Sequence, residues 1–179
     1  MAIIACINFI HFNSSNPFAR YGFVSWITAF TVQYLLLYRS EDNWGPRLMA
    51  WQHRGTLWLV FFVVTWVCAQ AVSQQVPGLQ NWGHVLWGFI PAIGIFSLIF
   101  FRDRIEWPLR RFAVDYLGAG LFPVIIYAAV WVIVVILYEG DPAPLPYVPV
   151  VNPHELAQLF AVVALFDCLI RWKRNEASP

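Results

Sequence analysis

The chain has 179 residues, 60% of them hydrophobic and only 12% charged, with a net charge of +1. Soluble domains average roughly 45–50% and 25%, and a soluble fold this small has too little interior to hide so much apolar surface. The composition excludes a soluble globular domain, and it leaves the placement of charge along the chain, not its sum, as the informative quantity.

The opening stretch, 1–12, is apolar but has neither the basic start nor the small-residue cleavage site of a signal peptide. About eleven helical residues reach only about 16 Å, against roughly 30 Å of hydrocarbon. It therefore reads as a re-entrant or interfacial piece, or as half of a longer helix, broken by Asn13, Ser14, Ser15, Asn16 and Pro17. Five segments long and apolar enough to cross follow, at about 21–38, 55–71, 84–101, 117–138 and 153–172. Backbone amides in hydrocarbon must be satisfied internally, which continuous helices do. A β-barrel would need short segments of alternating polarity, and these runs are apolar on all sides. The expected fold is all-α: one polytopic transmembrane helical bundle of about five spans, plus the short N-terminal segment.

Local chemistry sharpens the boundaries. Gly45 and Pro46 place the start of the second helix in the headgroup layer, before it enters the core at Gly55. Asn81 is placed to cap the third helix, which Pro91 is expected to kink. Pro123 falls near the start of the fourth, where a missing amide matters less. Asn152, Pro153 and Glu155 read as N-cap, first and third helical positions of the fifth.

The basic residues sort by side. Arg39, Arg47 and Arg54 lie between spans one and two, Arg102, Arg104, Arg110 and Arg111 between three and four, and Arg171, Lys173 and Arg174 after five. Only Arg20 falls on the opposite face. The positive-inside rule makes the arginine-bearing face, and with it the C-terminus, cytoplasmic. The N-terminus is then outside, so either 1–12 belongs to a sixth crossing or further helices precede this region.

The loop Gly140-Asp141-Pro142-Ala143-Pro144-Leu145-Pro146-Tyr147-Val148-Pro149, with Asn152-Pro153-His154-Glu155-Leu156-Ala157-Gln158 opening the next helix, resembles a recurrent segment of a large bacterial family of predicted multi-pass membrane proteins, a domain of unknown function. His53-Arg54-Gly55-Thr56-Leu57-Trp58-Leu59 and Trp107-Pro108-Leu109-Arg110-Arg111, with Tyr116 following, are similar to the same family. The likeness runs through most of the chain in order. It implies the C-terminal block of a longer protein, in a bacterial inner membrane, and brings no catalytic residue with it.

Spans one to four, so bounded, hold no Asp, Glu, Lys or Arg in their interiors, which weighs against ion-coupled transport by this chain alone. Asp167 lies one turn before Arg171 and reads as an i,i+4 interfacial pair. Gln33, Gln70 and Gln158 are intramembrane amides suited to interhelical hydrogen bonds. Gly118 and Gly120 permit close helix approach. Cys6, Cys68 and Cys168 stand alone and read as small buried hydrophobes, with neither metal-ligand nor disulfide spacing.

The four histidines sit at span edges. His11, His84 and His154 fall on the outer face, where His84, His154 and Glu155 are the candidates for a metal or acid–base site against the commoner role of capping and headgroup contact. Trp44, Trp51, Trp107 and Trp172 near the inner face and Trp82 and Trp87 near the outer one form an aromatic belt. Trp26, Trp58, Trp66 and Trp131 lie deeper, suited to packing between helices or against a partner. Pro144, Pro146 and Tyr147 belong to a stiff outer loop suited to docking. No Gly-rich phosphate loop, nucleophile elbow or paired-Cys signature appears, no cofactor is indicated, and nucleic acid is not an expected partner. The function these residues favour is a membrane scaffold or accessory subunit, with lipid and other membrane subunits or further helices as partners. A transporter or flippase component, and a membrane enzyme with an outer-face site, are the alternatives.

Overall fold

The computed structural model describes residues 22–75, 80–137, 148–149 and 152–176. Among these the regular elements are all helical: α1 (Gly22–Ser40), α2 (Pro46–Gln75), α3 (Gln80–Phe101), α4 (Phe122–Val135) and α5 (Pro153–Glu176). Between α3 and α4 run two π-helical pieces, Glu106–Arg110 and Val114–Gly120, here called the strap. The loop candidates Pro144, Pro146 and Tyr147 lie outside the described residues.

Among the described residues four stretches are long and apolar enough to cross a membrane: Pro46–Ser73, Trp82–Phe101, Val114–Val135 and Pro153–Lys173. The chain is a helical membrane bundle. The first expected span forms a 19-residue helix, α1, but it is not among the four. Ser25, Thr28, Thr31, Gln33 and Arg39 dilute its apolar run. α2 is longer than its apolar run, 30 residues, or about 45 Å at 1.5 Å each, which exceeds a hydrocarbon core of roughly 30 Å. Its first two turns therefore stand in the headgroup layer. α4 has only 14 residues, about 21 Å, and crosses only together with the second strap piece.

The core is made where small residues let helices close in. Ala157, Ala161 and Ala164 of α5 are 1%, 0% and 0% exposed and pack with Ala92 and Ile95 of α3 and Ala128 of α4 in one cluster. Their i, i+4, i+7 spacing puts them on one face of α5. In a bilayer, where lipid and side chain are equally apolar, close backbone approach of this kind drives association. Gly88 serves the same end: a Cβ added there would fall inside the Trp131 ring.

Backbone freed by helix breaks is taken up by side chains. α3 continues through Pro91. The carbonyl four residues earlier, on Trp87, loses its amide to the proline. Tyr127 Oη of α4 donates to that carbonyl at 3.0 Å. Gly118, with φ −92° and ψ −106°, breaks the fourth crossing, and Trp58 Nε1 donates to the Gly120 carbonyl just beyond at 2.7 Å. Each bond answers the demand that no backbone polar group be left bare in hydrocarbon. Tyr127→Phe is expected to lower thermal stability in detergent by about 0.6 kcal/mol, the size of one interhelical bond in a membrane protein, while Tyr127→Leu, which also loses the ring, lowers it more.

Candidate functional site at the arginine-bearing end

Three sequence elements meet where α2 leaves the hydrocarbon. α2 brings Gln52, His53, Arg54 and Thr56, one turn of helix. α1 brings Gln33, Tyr34 and Tyr38, and the turn after it brings Glu41. The strap brings Trp107, Arg111, Phe112, Asp115 and Tyr116. The strap can reach α2 because its backbone is bent at both ends. Trp107 takes extended angles (φ −115°, ψ 133°), as a residue before proline does, and the Trp107–Pro108 peptide is cis. The second bend is at Gly118.

His53 is fully buried, at 0% exposure. Its ring stacks on Phe112 at 4.1 Å between centroids and 27°, and Nδ1 lies 3.0 Å from Tyr116 Oη. Tyr116 is itself 1% exposed and shares a side-chain hydrogen bond with Tyr34. Edge-on to His53 lies Trp107, 6.1 Å away, and Tyr34 and Tyr38 of α1 meet Trp107 at 6.1 and 5.2 Å. Two buried nitrogens in this knot have no partner, His53 Nε2 and Trp107 Nε1.

Beside it, Arg54 donates to Asp115 Oδ1 through Nε at 3.1 Å and Nη2 at 2.8 Å, with both side chains about a fifth exposed. Trp51 lies under the same guanidinium at 5.9 Å. Gln33 Nε2 reaches Gln52 Oε1 and Thr56 Oγ1, each at 3.2 Å, so this amide makes the interhelical bonds expected of it. Glu41 and Arg111 are ion-paired across the α1–α2 turn and the strap. The arrangement can fix the strap rigidly onto α1 and α2, and it gathers hydrogen-bond donors at the depth of lipid headgroups.

The sequence alone does not bring these residues together. With the hydrocarbon part of the second span starting at Gly55 and the fourth span at Leu117, Arg54 and Asp115 lie just before both. The helices begin earlier, at Pro46, where the Gly45-Pro46 boundary places the start of α2, and at Val114, and an ion pair at the edges of the two crossings joins them. A signal was nonetheless present: His53-Arg54 and Trp107…Tyr116 are two of the three stretches that carry the family resemblance, and here they touch.

Trp58 and Trp131 lock helices together through their indole N–H groups, Trp131 donating to the His84 carbonyl at 3.2 Å. Trp26, 6% exposed, stacks on Phe30 at 5.8 Å, and Trp66 packs with Phe62 at 5.7 Å. At the opposite end, His84 opens α3 and His154 opens α5, close enough to interact electrostatically. Asn152 Oδ1 accepts from the His154 backbone N–H at 3.1 Å, the cap expected of it. Glu155 stands in the first turn of α5. Among the described residues no three His, Cys, Asp or Glu side chains gather to hold a metal ion. Asp167 and Arg171 pair at 2.9 Å, as expected for i,i+4 neighbours. Midway along the bundle a cavity of about 180 Å³ opens between α2, α3 and α4, lined by Trp58, Phe61, Thr65, Trp87, Pro91 and Tyr127 among others.

No curated protein and no solved structure matches the chain. The model of a family described as "Predicted membrane protein (DUF2339)" matches residues 1–179. A match over the whole chain, on a helical bundle with four stretches fit to cross a bilayer, means that this chain belongs to that family of predicted membrane proteins.

Proposed function

We propose that the chain is a multi-span scaffold or accessory module of a bacterial plasma membrane, packed against further helices of a larger assembly, with its arginine-bearing end and C-terminus in the cytoplasm. The supporting observation is α1. It packs chiefly on α2 and turns an open face outward. On that face Ser25, Thr28 and Thr31 are exposed at i, i+3, i+6 together with Val24 and Ile27. Small polar residues at helical spacing cost free energy against lipid and gain it against another helix. A face of small polar residues on a helix outside the four candidate spans supports a neighbouring helix packed there.

Gentle extraction from native membranes followed by native mass spectrometry tests the proposal. Stoichiometric protein partners, or retention within a longer polypeptide, are expected; a bare monomer of this chain would count against it. Sidedness is tested separately. A cysteine introduced near the C-terminus, at Ser178, should label in inside-out vesicles and stay unlabelled by impermeant maleimide in intact cells, while labelling of intact cells would reverse the orientation.

A further inference from the structure

The nitrogens left over at the arginine-bearing end have no task in holding the fold. His53 Nε2 and Trp107 Nε1 are both buried and both without a partner, and an unsatisfied buried N–H costs about 1–3 kcal/mol. The role of His53 Nε2 follows from which ring nitrogen carries the proton beside Tyr116, whereas Trp107 Nε1 is a donor in every state and calls for an oxygen acceptor. Two independent features say what kind. Arg39, next to Tyr38 in sequence, and Arg110, three residues past Trp107, are both exposed and bring positive charge to this end of the bundle. The depth is that of the headgroup layer, since α2 overruns the hydrocarbon at this end. Tyr38, 61% exposed and edge-on to Trp107 at 5.2 Å, is the only one of the surrounding rings named above that is largely exposed, and its side chain must swing aside to admit an acceptor.

We propose that the corner between α1 and the strap is a binding site for the headgroup of an anionic phospholipid. A phosphate oxygen accepts from Trp107 Nε1, and Arg39 and Arg110 supply the compensating charge. The site requires only that this end of the bundle lie at a membrane surface, whichever side that is, and stands apart from the scaffold reading.

The test uses the full chain in nanodiscs of phosphatidylcholine with graded phosphatidylglycerol, with lipids retained on ejection counted by native mass spectrometry. The unaltered protein is expected to keep one phosphatidylglycerol with a preference of at least about fivefold, the worth of one good hydrogen bond. Trp107→Phe, which keeps the ring and deletes the donor, is expected to abolish that preference. Retention without headgroup preference overturns the proposal. So does a preference that survives Trp107→Phe but falls in Arg39→Gln, which would be diffuse attraction to a basic surface. Displacement of the lipid by millimolar inorganic phosphate would make this a free-anion site and overturn the lipid assignment. Should the Trp107 variant fail to fold, a photoactivatable phosphatidylglycerol on the unaltered chain decides the matter. Labelling concentrated in α1 and the strap supports the site, and equal labelling at the basic end of α5 rejects it.

Discussion

Gly88→Leu is expected to prevent stable assembly of the bundle, with monodisperse protein in detergent falling to a small fraction of the unaltered yield. A Cβ at this position would sit inside the Trp131 ring, and Trp131 has little freedom to yield. It is 8% exposed, belongs to the central cluster and is tethered through Nε1 to the His84 carbonyl at 3.2 Å. Overpacking of a dense core costs typically 1–3 kcal/mol and occasionally more, and here four extra carbons meet a buried, hydrogen-bonded indole. Gly88→Ala should show a milder loss, and Gly55→Ala, whose added Cβ meets nothing within 4 Å, should be neutral. Size-exclusion profiles of the three variants check the order. Equal behaviour of Gly88→Leu and Gly55→Ala would mean that α3 and α4 do not approach as described.

Asp115→Ala should be the next most damaging change. It strips Arg54 of the carboxylate held at 2.8 Å and leaves a guanidinium at the edge of the hydrocarbon. Removing one partner of a fully buried pair costs 3–5 kcal/mol, but both groups here keep some solvent contact, so about 2 kcal/mol is expected after screening. The double change Arg54→Met with Asp115→Ala should recover part of that loss, because it removes the stranded charge together with its partner. Thermal unfolding of both variants in one detergent reads the difference. A double variant no more stable than the single one would show that the pair's contribution is not electrostatic.

The bundle was legible in the sequence because its cause is one-dimensional. A bilayer rewards unbroken apolar runs, and the segments at 84–101 and 153–172 agree closely with the candidate spans Trp82–Phe101 and Pro153–Lys173. The Asn152 cap and the Asp167–Arg171 pair were legible because both partners lie within one turn. Across the bundle the sequence falls silent. His53 and Tyr116 are 63 positions apart and Arg54 and Asp115 61 apart, and nothing in a hydropathy profile pairs them. The strap was unreadable for a second reason. Its Arg-, Asp- and Pro-bearing residues look like a polar connection, and only the bends at Trp107 and Gly118 turn that connection inward against α2. Histidines at the opposite end drew attention because they sit beside acids in sequence, whereas the buried histidine is partnered by aromatic rings from another segment.

α1 carries the central claim, since a helix with Ser25, Thr28 and Thr31 turned outward is the face on which a larger assembly would be built. The most direct measurement places a photoreactive amino acid at Thr28 and, as a control, at Val163, an exposed apolar position of α5 (47% exposed), and irradiates cells carrying the protein in its native membrane. A protein adduct from Thr28, to another polypeptide or to a segment outside these 179 residues, with mainly lipid adducts from Val163, is the predicted result. Lipid adducts alone from both positions would contradict the account and leave α1 as an outer helix facing the bilayer.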